Sequence, residues 1–185
     1  MKIKVPDIPE DGMELNASSS QAQDRWFEEV VEKAFEEDFP KGNSARLNLH
    51  LLRTSDNVQV SGTAEIDLKP ACDRCLEVFE KHTTVPLHVN LAPRNQMHFE
   101  EGESEEGLDE DDVAFSFYKG EEIDLSEILR EMFVLDIPLR YLCSETCKGL
   151  CPRCGKNLNL GPCGCSAQAG DSRFAALKQL LKPTE

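Results

Sequence analysis

Between residues 45 and 92 the apolar side chains fall at every second position. Leu47, Leu49 and Leu51 alternate with Asn48, His50 and Leu52. After a turn at Ser55-Asp56-Asn57, Val58, Val60, Ala64, Ile66 and Leu68 take one side, and Gln59, Ser61, Thr63, Glu65 and Asp67 the other. Val85, Leu87, Val89 and Leu91 repeat the pattern. A period of two sends successive side chains to opposite faces, so it predicts three antiparallel strands with one apolar and one wet face. Gly62 interrupts the apolar set and is expected at a bulge or tight bend. Pro86 has no N–H to donate and is expected at a sheet edge. Val113, Phe115 and Phe117 can add a fourth strand, and residues 2–5 alternate as a short one that Pro6 ends.

Two stretches change to the helical period. Trp26, Phe27, Val30, Val31, Ala34 and Phe35 share one face, with Glu28, Glu29, Glu32, Lys33 and Glu36 on the other. Ser18, Ser19 and Ser20 offer N-caps to this helix, and Phe39-Pro40-Lys41-Gly42 closes it. Asp124 and Glu127 have capping-box spacing before the apolar face Leu125, Ile128, Leu129, Met132 and Phe133, and Pro138 stops that helix. Asp171 caps a last amphipathic helix bearing Phe174, Leu177, Leu180 and Leu181. These elements predict an α+β fold: an antiparallel, curved, barrel-like sheet flanked by helices. A core domain is expected over residues 1–138, followed by a cysteine-rich segment with the final helix over residues 139–185.

Charge adds a constraint on partners. The 185-residue chain carries 35 acids against 20 bases, a formal charge of −15. Residues 100–112 hold nine acids and no base, and so supply nine of those fifteen charges. Such a block repels itself and buries little, which predicts a disordered loop, with a docking tail for a basic partner as the other reading. No apolar run approaches the ~20 residues of a membrane span, and the N-terminus lacks a signal-peptide apolar region. A cytoplasmic location without membrane contact is expected.

Eight cysteines in a reducing compartment point to metal more than to disulfides. Six lie within 23 residues: Cys143, Cys147, Cys151, Cys154, Cys163 and Cys165. In Cys151-Pro152-Arg153-Cys154-Gly155, two thiolates can share one tetrahedral zinc while the intervening backbone donates N–H groups to the sulfurs. The proline fixes φ and the glycine permits a positive one. The other two ligands can come from Cys143 and Cys147 or from Cys163 and Cys165, and spacing does not choose between them. With few large apolar residues around it, this segment needs metal for order, so structural zinc is expected. His50, His82, His88 and His98 lie far away in sequence and assemble no acid–base site. The second pair, Cys72 and Cys75, joins two strands. It can be half of a second zinc site, a redox dithiol, or two thiols at a tight turn. A redox pair usually adjoins a helix N-terminus, which makes that reading the weakest.

Several segments together resemble one family. They are Cys72-Asp-Arg-Cys-Leu-Glu-Val-Phe79 after an alternating strand, Asp124-Leu-Ser-Glu-Ile-Leu-Arg-Glu131 through Ile137-Pro138-Leu139, Leu142-Cys-Ser-Glu-Thr-Cys-Lys-Gly-Leu-Cys-Pro-Arg-Cys-Gly-Lys-Asn-Leu-Asn159, and the ending Asp171-Ser-Arg-Phe-Ala-Ala-Leu-Lys-Gln-Leu180. These resemble the YceD-like family, bacterial and plastid proteins needed for accumulation of large-subunit ribosomal RNA. The resemblance runs from the first strand to the last helix, with the acidic loop lacking a counterpart. It implies a non-enzymatic ribosome-assembly factor without a small-molecule substrate. Such a factor would bind a ribosomal RNA precursor or a large-subunit ribosomal protein. The eight cysteines and Arg74 carry over as parts of the signatures.

Residues 138–185 fit that expectation partly. Arg140, Lys148, Arg153, Lys156, Arg173, Lys178 and Lys182 outnumber Glu145, Asp171 and Glu185. The excess falls to about +2 once four thiolates hold one zinc, enough for modest, salt-sensitive RNA contact. The alternative from another class is a thiol-disulfide oxidoreductase using Cys72 and Cys75.

Overall fold

The computed structural model describes residues 1–94 and 114–165. Its elements in chain order are β1 (Lys2–Lys4), β2 (Met13–Ser18), α1 (Arg25–Phe35), β3 (Ala45–Thr54), β4 (Asn57–Leu68), β5 (Lys81–Pro93), β6 (Ala114–Tyr118), β7 (Glu122–Asp124) and α2 (Leu125–Asp136). Short 3-10 turns lie at Val5–Asp7, Ala22–Asp24, Glu36–Asp38 and Leu158–Leu160. The acidic stretch 100–112, Val113 and the helix expected from Asp171 lie outside the described residues.

The period-two pattern is realised as a five-stranded sheet of order β2-β3-β4-β5-β6. Every alternating residue assigned to the apolar face, from Leu47 through Leu91, is buried. The opposite face, with Arg46, Asn48, His50, Thr63, Asp67, His82 and His88, is left largely to solvent. Two features differ from the antiparallel, barrel-like expectation. The sheet is open, with β2 and β6 at its edges, and it is mixed, because β6 runs parallel to β5 from the Val89–Ala114 pair to the Pro93–Tyr118 pair. The chain leaves β5 at Pro93 and returns at Ala114, and only such a long connection can bring a strand back parallel.

β6 pairs with β5 only from Val89 to Pro93, so Pro86 has β4 on one side and no strand on the other among the described residues. Its expected edge position therefore holds locally. Gly62 does not mark a bulge, since the register runs unbroken through Leu49–Gly62 and Gly62–Leu87. It is needed for close approach: a Cβ there would lie 2.0 Å from the Asn48 carbonyl oxygen.

Both helices cover the apolar face. α1 buries Phe27, Val30, Val31, Ala34 and Phe35, and α2 buries Leu125, Leu129 and Phe133. Phe133 meets Phe27 edge-on at 6.4 Å between ring centroids and Phe35 at 5.9 Å. The Asp124 cap forms, its carboxylate accepting from the Ser126 N–H at 3.1 Å. The serine caps do not. α1 begins only at Arg25, and the Asp24 carboxylate accepts instead from the Ser18 N–H, pinning the end of β2. β1 pairs antiparallel with β7, so the N-terminus is tied to the start of α2.

Candidate metal centres

The β4–β5 connection is a turn on which Cys72 and Cys75 sit, closed by the Ala71–Val78 bridge. The Cys72 N–H donates to the Glu77 carbonyl at 2.9 Å, and the Leu76 N–H to the Cys72 carbonyl at 2.8 Å. Leu76 takes φ 62°, a left-handed conformation that suits glycine better. The turn at Cys151 and Cys154 repeats each feature. Leu150 bridges Asn157, the Cys151 N–H donates to Lys156 at 2.8 Å, and the Gly155 N–H donates to Cys151 at 2.9 Å with Gly155 at φ 71°. Two Cys-x-x-Cys turns therefore share one backbone design.

Each turn meets a second pair of cysteines. The sulfurs of Cys72, Cys75, Cys143 and Cys147 all lie within 4.8 Å of one another, and so do those of Cys151, Cys154, Cys163 and Cys165. Cys72 Sγ is 3.8 Å from Cys147 Sγ, Cys75 Sγ is 3.7 Å from Cys143 Sγ, and Cys151 Sγ is 3.4 Å from Cys163 Sγ. A tetrahedral ion with metal–sulfur bonds of about 2.3 Å sets its sulfurs about 3.8 Å apart, so both groups have the chemistry and size to hold a metal ion. The six C-terminal cysteines do not form one group. Cys143 and Cys147 turn to the β4–β5 connection, leaving Cys163 and Cys165 to join Cys151 and Cys154.

The first group is anchored by the residues between its cysteines. The Arg74 guanidinium donates to the carbonyls of Glu145 at 3.1 Å and Cys147 at 3.0 Å. The Arg74 carbonyl accepts from the Leu150 N–H at 3.0 Å. Asp73 makes a double link to Tyr141: its N–H donates to the Tyr141 carbonyl at 2.9 Å, and its carboxylate accepts from the Tyr141 N–H at 2.6 Å. Gly149, at φ 70°, passes so near that a Cβ would sit 2.9 Å from the Arg74 carbonyl oxygen. Cys72, Cys75 and Cys147 form a small buried cluster with Phe79, Leu142 and Leu150 packed against it. The second group is more open. Cys151 is buried, Cys163 and Cys165 are half-buried, and Cys154 is exposed.

Electrostatics divide each group of thiols. N–H groups of Cys143, Arg74 and Cys75 aimed at Cys72 lower its thiol to about 6. Those of Arg153 and Cys154 do the same for Cys151, also to about 6. The Asn159 side-chain amide, 3.3 Å from Cys147 Sγ, lowers that thiol as well. Cys143 is an exposed residue whose sulfur faces those of Cys72, Cys75 and Cys147, and desolvation followed by hydrogen bonding with these thiols pushes it up to about 12. Hydrogen bonding with Cys154, followed by desolvation, takes Cys165 to about 12. Four thiolates this close cannot ionise together unless a cation is shared among them.

All eight cysteines are legible in the sequence, whereas the roles of Asn159, Asp73 and Gly149 are not, although each lies in a family-like segment: nothing local shows that Asn159 reaches back 12 residues to a sulfur.

An open α+β sheet layered with two helices and carrying two four-thiol clusters defines a small protein with two candidate metal centres. Residues 60–181 match the family described as Large ribosomal RNA subunit accumulation protein YceD, and the chain belongs to that family. The match covers all eight cysteines and begins within β4, a shorter span than the resemblance read from the first strand onward. The chain is 26% identical over 161 residues to the chloroplastic Large ribosomal RNA subunit accumulation protein YCED homolog 1 of Arabidopsis thaliana, covering 77% of this chain and 50% of that one. It is 30% identical over 137 residues to an uncharacterized Mycobacterium tuberculosis protein, covering 74% of this chain and 62% of the relative. A Zea mays YCED homolog 1 matches at 40% over 57 residues, 31% of this chain and 20% of its own. The chain thus spans half to about three-fifths of the first two. No solved structure matches it significantly. Among the described residues no helix is long and apolar enough to cross a membrane.

Proposed function

We propose that the protein is a non-enzymatic ribosome-assembly factor of the cytoplasm. It supports accumulation and maturation of large-subunit ribosomal RNA by binding that RNA or a large-subunit ribosomal protein. It acts on no small-molecule substrate, and its cysteines hold structural zinc. Residues 1–138 serve as the core domain, and residues 139–185 as the segment that the metal orders. The observation that carries this reading is family membership over a span that includes both thiol clusters.

Charge limits how RNA would be met. The chain as a whole is at −15, and tetrathiolate zinc adds about −2 at each centre. Around the centres Arg74, Arg140, Lys148, Arg153 and Lys156 stand against Asp73, Glu77 and Glu145. These support a few phosphate contacts, so direct RNA affinity is modest and falls with salt, and a ribosomal protein carries the remainder of the contact. The oxidoreductase alternative is less favoured. Cys72 and Cys75 lie between two strands rather than at a helix N-terminus, and their sulfurs face two further thiols.

Affinity purification from cells, with sequencing of bound RNA and identification of bound proteins, tests the proposal. It predicts enrichment of large-subunit RNA precursors or large-subunit proteins over small-subunit ones. Equal recovery of both subunits, or of neither, would contradict it.

A further inference from the structure

The repeated turn and the unequal burial of the two thiol groups carry an inference beyond one structural zinc. We propose that the chain holds two zinc ions in separate tetrathiolate centres with different exchange rates. Cys72, Cys75, Cys143 and Cys147 form a slow-exchanging tether, while Cys151, Cys154, Cys163 and Cys165 form a faster-exchanging centre. The inference rests on the zinc part of the proposed function and is independent of the ribosomal part.

Three observations support it. First, each sulfur lies within 4.8 Å of all three others in its group. Disulfides would instead join the sulfurs in separate pairs at about 2 Å. Second, both Cys-x-x-Cys turns have the same N–H to carbonyl closure, and in both the N–H groups two and three residues beyond the first cysteine address its sulfur. The intervening backbone of such a turn leaves the two sulfurs free to bind one ion. An all-thiolate tetrahedral set suits zinc or iron–sulfur chemistry, and zinc fits a four-sulfur group sized for a single ion.

Third, the surroundings differ. The first centre joins residues 68 and 75 positions apart in sequence, so it fastens the 143–151 segment to the β4–β5 connection. Three of its cysteines are buried, and Arg74, Asp73 and Asn159 brace the loops around them. The second joins residues within fifteen positions, and only one of its cysteines is buried. A chelator must reach the metal to displace a thiolate, so the second centre gives up its ion first.

Zinc content and its release to a chromophoric chelator test this on the full chain purified under reducing conditions without chelator. The expected result is two zinc ions per chain released in two phases. The double variant Cys163→Ser/Cys165→Ser keeps one ion and loses the fast phase. Cys72→Ser/Cys75→Ser keeps one ion and loses the slow phase. That variant also loses a tether, so a second measurement on the unmodified chain guards against misfolding. Cobalt titration of the metal-free chain should give the spectrum of tetrahedral cobalt thiolate, saturating at two equivalents. One ion per chain, none, iron in place of zinc, or single-phase release would overturn the proposal. The ribosomal reading would stand or fall separately, on what the protein co-purifies with.

Discussion

Leu76 and Gly155 hold the same place in two turns of one design, each in the left-handed region at φ 62° and 71° and each donating its N–H to the cysteine four residues before it. One position has the residue this conformation favours, and the other does not. Left-handed backbone costs a non-glycine residue about 1 kcal/mol or more. Leu76 is two-thirds exposed, so removing its side chain forfeits little burial. Leu76→Gly is therefore expected to leave thermal stability unchanged or raise it, while Gly155→Ala lowers it by about 1 kcal/mol. Paired thermal melts of the zinc-loaded variants check both signs.

Gly62 pairs with Leu49 where β4 lies so close to β3 that a methyl group would overlap the Asn48 carbonyl. No flexible side chain can yield there, because the obstructing atom is backbone. Gly62→Ala is expected to cost about 3 kcal/mol, at the upper end for overpacking. Urea denaturation measures it, and a loss under 1 kcal/mol would show that β3 and β4 separate readily.

Phe133 is fully buried between Phe27 and Phe35 and joins α2 to α1. Phe133→Ala should cost about 3–5 kcal/mol. Phe117, nearly half exposed on edge strand β6, should tolerate the same change within about 0.5 kcal/mol. Comparing their urea midpoints checks that the core lies between the helices and the sheet.

Arg74 is the only residue of its turn whose side chain reaches the carbonyls of the facing loop, at Glu145 and Cys147. A lysine keeps the charge but loses the planar, forked donor. Arg74→Lys is expected to speed amide hydrogen exchange across residues 143–150 several-fold and to leave β3 and β4 protected. Equal exchange in both proteins would show that Arg74 does not brace the first centre.

Metal affinity should rise with pH. Cys143 and Cys165, at about 12, are protonated throughout the neutral range, so each gives up a proton when its centre takes an ion. Cys72 and Cys151, at about 6, are largely ionised at neutral pH and add a further proton only as pH falls through that value. Cys75 is raised as well, so the first centre gives up at least two protons. Zinc binding below neutrality should thus weaken per pH unit by at least about a hundredfold at the first centre and about tenfold at the second, and more steeply below about pH 6. Competition with a chelator of known pH response measures the slope.

The sheet was legible because its signal is local. Each strand from Leu47 to Leu91 announces its buried face by alternation, and the structure buries the same residues. β2 gave little signal, since among Met13–Ser18 only Ala17 is buried. The pairing of β1 with β7 and the parallel course of β6 depend on where distant segments return, which no local period records. The site divides in the same way. The cysteines and their turns could be read from spacing, proline and glycine. Their partition could not, because Cys143 finds Cys75 across 68 residues while Cys151 finds Cys163 across 12.

The most direct test of the functional account is the ratio of large- to small-subunit ribosomal RNA in cells depleted of this protein. The account predicts a lowered ratio that the intact chain restores. An unchanged ratio, with the protein demonstrably absent, would contradict it.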